Sequence, residues 1–217
     1  MSKPKAVVSW SGGKDSYLAL HRTGRSFDVQ ALVTMFTEDG MRSRSHGLRP
    51  KVVERQAQLL GLPLVRGCGS WVTYGQEFKR VLGELAEQGF SHVIFGDIFL
   101  DEHKAWVERV CGECGLAAIE PLWGERTDSL FREFIATGAS AQIVATKATL
   151  LDQKWLGKHL SELMLPSFES LNVDACGERG EYHTLVISSP RMESRLQLRE
   201  IDRLLHDGYW MLDLELA

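Results

Sequence analysis

Residues 6–20 read Ala-Val-Val-Ser-Trp-Ser-Gly-Gly-Lys-Asp-Ser-Tyr-Leu-Ala-Leu, and this stretch decides the fold. Its apolar start predicts a buried strand, its glycines a tight turn, and its end a helix. A strand that leads through glycines into a helix N-terminus is a typical anion-binding unit, because free backbone N–H groups and the helix dipole both attract negative charge. The stretch therefore predicts a phosphate-binding loop over residues 11–16.

The loop itself has the chemistry that a polyphosphate needs. Ser11, Gly12, Gly13, Lys14, Asp15 and Ser16 supply backbone amides, two hydroxyls and, from Lys14, a mobile cation. It is not a Walker A loop, which has four residues between its first glycine and Gly-Lys-Ser/Thr, nor the dinucleotide fingerprint, which lacks the lysine. Asp15 beside a polyanion predicts a metal contact or a helix cap.

Outward from the loop, short apolar runs alternate with helical patterns. Strands are expected at residues 6–9, 29–36, 62–65, 92–95 and 117–119, with helices at 50–60, 76–88 and 102–114. This alternation predicts an α/β fold, a doubly wound parallel sheet with helices on both faces. The pattern changes near Leu122, so we expect a nucleotide-binding domain over 1–122 and a smaller α+β domain over 123–217. An amphipathic segment is expected at 155–165. The tail after Pro190 is expected to have a structural role or to form part of a homodimer contact.

Composition narrows the class of protein. The 217 residues carry a net charge of −4 with 25% charged residues, which is ordinary for a soluble globular chain and disfavours a nucleic-acid partner. A local basic patch remains at Arg42, Arg44, His46, Arg49 and Lys51. No apolar run is long enough to span a bilayer, and the four cysteines show no disulfide spacing, so we expect a cytoplasmic protein without a membrane partner.

The loop resembles the PP-loop of the N-type ATP pyrophosphatases, which cleave ATP between the α- and β-phosphates. Further motifs resemble the diphthine–ammonia ligase family within that group: residues 45–47 (Ser-His-Gly), 96–98 (Gly-Asp-Ile), 101–106, 121–124 and, most diagnostically, Gly-Glu-Arg-Gly-Glu-Tyr-His-Thr at 177–184. The resemblance implies an adenine-nucleotide alpha-hydrolase-like fold with ATP and Mg²⁺ as cofactors. It also implies an ATP-dependent ligase that adenylates a carboxylate, diphthine on elongation factor two, and transfers ammonia to it.

These motifs give the candidate site residues their roles. Lys14, Asp15, Glu178, Glu181 and His183 are the expected catalytic residues. The phosphate loop, His46, Gly96 and Asp97 are expected to hold the nucleotide, with Asp15 and Asp97 as magnesium contacts. Glu178 and Glu181 are expected on a loop, where carboxylates can hold ammonium, act as general base or attract a trimethylammonium group, with Tyr182 adding a cation–π contact. Trp106 and Trp123 are expected to serve packing.

Three alternatives stay open. The same chemistry can act on a small carboxylic acid such as a corrinoid precursor. A PP-loop tRNA thiolase is the second, with Cys111 and Cys114 as the hint of an iron–sulfur cluster, although a single C-x-x-C is a weak signal. The third is a module that binds adenine nucleotide without turnover.

Overall fold

The computed structural model describes residues 2–217, which form two sheets joined by a helical connection. The strands and helices, in chain order, are β1 (Lys5–Ser9), α1 (Lys14–Thr23), β2 (Asp28–Phe36), α2 (Pro50–Leu59), β3 (Leu64–Cys68), α3 (Tyr74–Glu87), β4 (His92–Ile94), α4 (Asp101–Glu113), β5 (Ala117–Ile119), α5 (Thr127–Ala136), β6 (Ser140–Lys147), α6 (Leu165–Ser170), β7 (Tyr182–Ser188), β8 (Leu198–His206) and β9 (Tyr209–Leu216).

The first sheet has the order β3-β2-β1-β4-β5 and all its strands are parallel. The strand order reverses between β1 and β4, so the carboxyl ends of these two strands flank the crevice where such sheets bind ligands. The expected doubly wound parallel sheet is confirmed. The third strand lies later than expected, at 64–68, because Leu60 and Gly61 form the turn after α2 and Leu62 and Pro63 lead from it into the strand.

Alternation along the strands assigns the helices to two faces. Ala6 and Val8 pack with α1 and α2, whereas Val7 and Val93 pack with α3 and α4. Successive side chains of a strand point to opposite faces, so short runs that are apolar throughout must be covered on both sides. The cluster on the α1 and α2 side continues into the second sheet, which joins the two sheets through one core.

The second sheet is antiparallel, with the order β7-β6-β9-β8, and α5 and α6 accompany it. This is the smaller α+β region that was expected, and the proposed boundary near Leu122 lies between the sheets. The amphipathic segment at 155–165 is not a continuous helix. It is mostly extended chain with short 3-10 turns at Gln153–Trp155 and Glu162–Met164.

The tail after Pro190 supplies the β8–β9 hairpin, whose second strand pairs with β6. The tail therefore has a structural role, as part of the second sheet. A homodimer contact stays a prediction. Among residues 2–217, the structure contains no helix with the length and apolar character required for a membrane span.

Candidate functional site

The phosphate loop connects β1 to α1 at the carboxyl end of the sheet. Gly12 has φ +85°, a left-handed conformation that glycine adopts without strain. The Gly13 amide donates to the Ser11 hydroxyl at 3.2 Å, and the Ser11 and Ser16 hydroxyl oxygens lie 3.2 Å apart. The first amides of a helix have no intrahelical acceptor. That of Lys14 donates to the Thr184 hydroxyl at 3.1 Å, so the amides of Asp15 and Ser16 are the donors that α1 presents to an anion.

Glycines at two positions allow other parts of the chain to approach this loop. A Cβ at Gly13 would lie 2.4 Å from Cε1 of His46. A Cβ at Gly96, which follows β4, would lie 2.9 Å from the Ser16 amide nitrogen. Both distances are too short for any side chain, so the two glycines are needed to bring the β2–α2 segment and the end of β4 against the loop.

Lys14 is not the mobile cation that the sequence predicted. Its side chain is 3% exposed, and its ammonium lies 2.8 Å from a carboxylate oxygen of Asp15. It also donates to the Cys176 carbonyl and lies 5.1 Å from the centre of the Tyr182 ring. Burial opposes the charge and is the largest single influence, but Asp15, Tyr182 and Cys176 together outweigh it and raise the pKa of Lys14 above its ordinary value. The charge is fixed and largely neutralised.

A cleft of about 910 Å³ opens beside the loop. Both regions of the chain line it, and its walls include Ser11, Lys14, Asp15, Ser16, Arg44, His46, Trp71, Tyr74, Phe78, Gly96, Asp97, His103, Trp106, Glu178, Arg179, Tyr182, His183 and Thr184. Except for Gly12, Gly13 and Glu181, the sequence-predicted site residues are thus brought together in this cleft.

Glu178 joins the two regions across the cleft. Its carboxylate accepts a hydrogen bond of 2.8 Å from the backbone amide of Ile98, just beyond β4. Burial raises the pKa of Glu178 to about 7, with Asp15 and Asp97 adding repulsion against the lowering effect of the Ile98 amide. A carboxylate with this pKa can both take up and release a proton near neutral pH.

Glu181 has a different place from the one expected. It is 4% exposed, and its carboxylate accepts hydrogen bonds from the backbone amides of Asp174 and Arg179 at 3.2 and 2.9 Å. Its carboxylate therefore stabilises the 174–181 loop. Among residues 2–217, those that line the cleft do not include Glu181. Three residues apart in sequence, Glu178 and Glu181 lie on opposite sides of a turn. In a loop, unlike in a helix or strand, the spacing of two residues does not predict whether their side chains point in the same direction.

Asp174 organises the same loop and was missed by the sequence analysis. One carboxylate oxygen accepts from the amides of Cys176 and Glu178, and the other accepts from the Thr127 hydroxyl at 2.7 Å. An aspartate that binds the backbone two residues later is an Asx turn, a pattern that the Asp-x-Cys-Gly spacing signals weakly. Asp174 thereby fixes the direction of Glu178.

Two neutral histidines lie beside the loop. The His46 and His183 rings have centroids 4.7 Å apart, and Nδ1 of His46 lies 2.8 Å from the Thr184 carbonyl oxygen. A carbonyl only accepts, so Nδ1 of His46 is the protonated nitrogen and Nε2 carries the lone pair. Burial lowers the pKa of both rings, with that of His183 at about 4.

Asp97 lies at the end of β4, as predicted, and one carboxylate oxygen is 3.3 Å from Nδ1 of His103. That hydrogen bond raises the pKa of His103. Asp15 and Asp97 both line the cleft. Two carboxylates beside a phosphate loop are a donor set that Mg²⁺ accepts, because it binds through one or two carboxylates together with substrate phosphates.

Aromatic rings form one part of the cleft wall. Trp106 stacks on Phe78 with centroids 5.6 Å apart and lies 5.7 Å from the Tyr74 ring, and all three line the cleft. Trp106 thus packs within the wall, as expected, but also faces the site, which was not expected. Trp123 packs under the Lys104 ammonium and is outside the cleft lining. Tyr182 is buried with Lys14 on its ring, which leaves that face unavailable to a substrate cation.

The C-x-x-C pair lies at the end of α4. The Cys111 thiol is fully buried between α3, α4 and the sheet, and burial raises its pKa to about 12. Cys114 donates to the Lys79 carbonyl. Over residues 2–217, no group of three or more His, Cys, Asp or Glu side chains is arranged to hold a metal ion. The pair therefore gives no structural support to the iron–sulfur alternative.

Two arginines of the basic patch, Arg42 and Arg49, are neutralised by the tail. Arg42 and Arg49 each lie 2.6 Å from a carboxylate oxygen of Asp213 on β9. This ion-pair network holds the β2–α2 segment, and with it His46, against the second sheet. Nothing local in the sequence signals Asp213, because its partners are more than 160 residues away.

Gln56 on α2 is a second residue that the sequence analysis missed. Its fully buried amide donates to the carbonyls of Gly12 and Val186 at 3.0 and 2.6 Å, and its oxygen accepts from the Trp10 indole. One side chain thus ties the phosphate loop to β7, and with it the two sheets to each other.

The chain matches two family models, described as the diphthamide synthase N-terminal domain over residues 4–118 and the diphthamide synthase C-terminal domain over residues 126–216. Two relatives are proteins named diphthine–ammonia ligase. That of Schizosaccharomyces pombe is 27% identical over 91% of this chain and 36% of its own length. That of Rattus norvegicus is 26% identical over 91% of this chain and 84% of its own length.

Among solved structures, a predicted subunit of tRNA methyltransferase from Methanocaldococcus jannaschii aligns with 16% identity and a TM-score of 0.46, covering 86% of this chain and 98% of that chain. A similarity this low does not indicate a shared function. The two family models together cover nearly the whole chain, in the order in which its two sheets occur. The chain belongs to the diphthamide synthase family.

Proposed function

We propose that the chain is an ATP-dependent ligase that adenylates the carboxylate of diphthine, releases pyrophosphate and transfers ammonia to form the amide. The observation that carries the proposal is the cleft, in which the phosphate loop faces Glu178 of the diagnostic 177–184 segment. The proposal is also supported by the two relatives described above, which are both named diphthine–ammonia ligase.

The first half-reaction needs an activated carboxylate. A carboxylate oxygen of the acceptor attacks the α-phosphorus of ATP, the bond to the bridging oxygen breaks, and pyrophosphate leaves with the electron pair. The amides at the start of α1 and the hydroxyls of Ser11 and Ser16 stabilise the charge that grows on the leaving group. Mg²⁺, held by Asp15 and Asp97, would supply further neutralisation of the phosphates.

In the second half-reaction, ammonia attacks the acyl carbon and AMP leaves with the electron pair of the acyl–oxygen bond. Ammonium is not a nucleophile until it loses a proton, so a base near the acyl group is required. We assign this role to Glu178, because it lines the cleft, has a pKa of about 7 and has its carboxylate held by the Ile98 amide. His46 and His183, neutral and half-buried beside the loop, offer a hydrogen-bond acceptor to ammonia without repelling it electrostatically.

Lys14 acts indirectly in this scheme. Its ammonium fixes Asp15 and the Cys176 carbonyl, and so positions both the loop and the segment that carries Glu178. Glu181 is likewise a positioning residue, because its carboxylate binds the amides of the turn.

The test is product analysis with Mg-ATP, ammonium and diphthine-bearing elongation factor two. AMP, pyrophosphate and the mass change for conversion of a carboxyl group into an amide are expected. AMP without a change in the acceptor would redirect the substrate assignment to small carboxylic acids, corrinoid precursors first. ATP binding without AMP would contradict catalysis and favour a nucleotide-binding module.

A further inference from the structure

Arg44 is a cation of the cleft that the proposed mechanism does not use. Its guanidinium lies 4.2 Å from the centre of the Trp71 ring, and its Nε is buried with no hydrogen-bond partner. Within residues 2–217 it forms no ion pair, whereas Arg42 and Arg49 in the same segment both pair with Asp213. A buried donor without a partner costs free energy, which a bound acceptor recovers.

The cleft has few charges to offer a polyanion. Lys14 is already neutralised by Asp15, and Asp97 and Glu178 add negative charge to the lining. Arg179 also lines the cleft, but it is exposed, and its guanidinium lies 5.4 Å from the centre of the Phe99 ring. Arg44 is therefore the partly buried cation that is left to meet a charged ligand.

The position of Arg44 relates it to the phosphate loop. The backbone places it two residues before His46, whose ring contacts Gly13 of the loop. Ser11, Ser16 and Arg44 line the same cleft. The Trp71 ring, 74% exposed, covers one face of the guanidinium and holds its plane, so that its edge remains for a ligand.

We propose that Arg44, oriented by Trp71, binds the polyphosphate of the nucleotide and supplies the positive charge that Lys14 does not. The inference rests on the proposed function, since it names a further residue for the same substrate. The guanidinium fork matches pairs of phosphate oxygens.

The experiment measures affinities by calorimetry for pyrophosphate, ATP and adenosine, with wild type, Arg44→Ala, Arg44→Lys and the control Arg55→Ala. Arg55 is an exposed arginine on α2, outside the cleft. Arg44→Ala is expected to weaken pyrophosphate and ATP binding by about tenfold or more and to leave adenosine binding unchanged. Arg44→Lys, which keeps the charge and loses the fork, should fall between, and Arg55→Ala should match wild type.

Unchanged pyrophosphate and ATP affinities in a folded Arg44→Ala variant would overturn the inference. If those affinities held while KM for the acceptor rose, the guanidinium would bind the acceptor carboxylate instead, which also overturns it. Adenosine binding lost in parallel would mean a general disturbance of the cleft and would equally contradict the assignment. A wild-type protein that binds pyrophosphate and ATP but never forms AMP would contradict the proposed function alone.

Discussion

Replacing Lys14 by alanine should destabilise the fold as well as abolish activity, because the side chain is a buried structural cation. Its ammonium is 2.8 Å from the Asp15 carboxylate, donates to the Cys176 carbonyl and lies 5.1 Å from the Tyr182 ring centre. Removing one partner of a buried ion pair costs about 3–5 kcal/mol, since the other charge is left uncompensated. Asp15 is about one quarter exposed, which places the expected loss near the lower end, about 3 kcal/mol.

The assay is urea unfolding of Lys14→Ala, Asp15→Asn and the double variant, followed by far-UV circular dichroism. For residues in direct contact we expect a coupling energy of about 1–3 kcal/mol between the two sites. Lys154→Ala is the matched control, because Lys154 pairs with Asp152 on the surface with a side chain that is 84% exposed. That control should show no measurable change.

A loss below about 0.5 kcal/mol for Lys14→Ala, with additive effects in the double variant as at an ordinary surface site, would contradict a structural role for the Lys14 ammonium. Lys14 would then be free to move to the phosphates, as the sequence alone predicts.

Three further predictions concern the base, the ion-pair network and the loop. Glu178→Gln should lower the rate of amide formation by about 10²–10⁴-fold and leave the ATP affinity measured by calorimetry unchanged. It should also remove the rise in rate with pH that is centred near the Glu178 pKa of about 7. A rise that persists in the variant would contradict the role of Glu178 as base. Asp213→Asn should cost about 1–3 kcal/mol in urea unfolding at pH 7. The two arginines lower the pKa of Asp213, so its contribution is complete above its unfolded pKa of about 3.9 and shrinks as pH falls below it; a difference that does not depend on pH would count against the network. Gly13→Ala should lower the free energy of unfolding by about 1–3 kcal/mol, because the new Cβ meets the His46 ring. The control Gly83→Ala, whose Cβ has no atom within 4 Å, should stabilise α3. Equal effects of the two substitutions would contradict the close approach of His46 to Gly13.

The sequence by itself determined the first sheet and the position of the phosphate loop. Runs such as 6–9 and 29–36 are apolar on both faces, which only strands covered by helices on two sides can satisfy, and β1 and β2 lie there. The loop was predictable because its chemistry is local: glycines, hydroxyls and a helix N-terminus within six residues. The 155–165 segment is amphipathic, as its pattern indicates, because Leu156 and Leu160 are buried in the core that joins the sheets, although its backbone is not a continuous helix.

Only the tertiary structure decided the roles of individual side chains. Lys14 is held by Cys176, Gln56 ties Gly12 to Val186, and Asp213 holds the segment that carries His46 and Arg44. These contacts join residues that are 130–171 positions apart, except that of Gln56 with Gly12, at 44. Whether a charged side chain faces a ligand or a partner depends on which groups the two sheets bring beside it. That information lies in the packing of the sheets and not in any local pattern of the sequence.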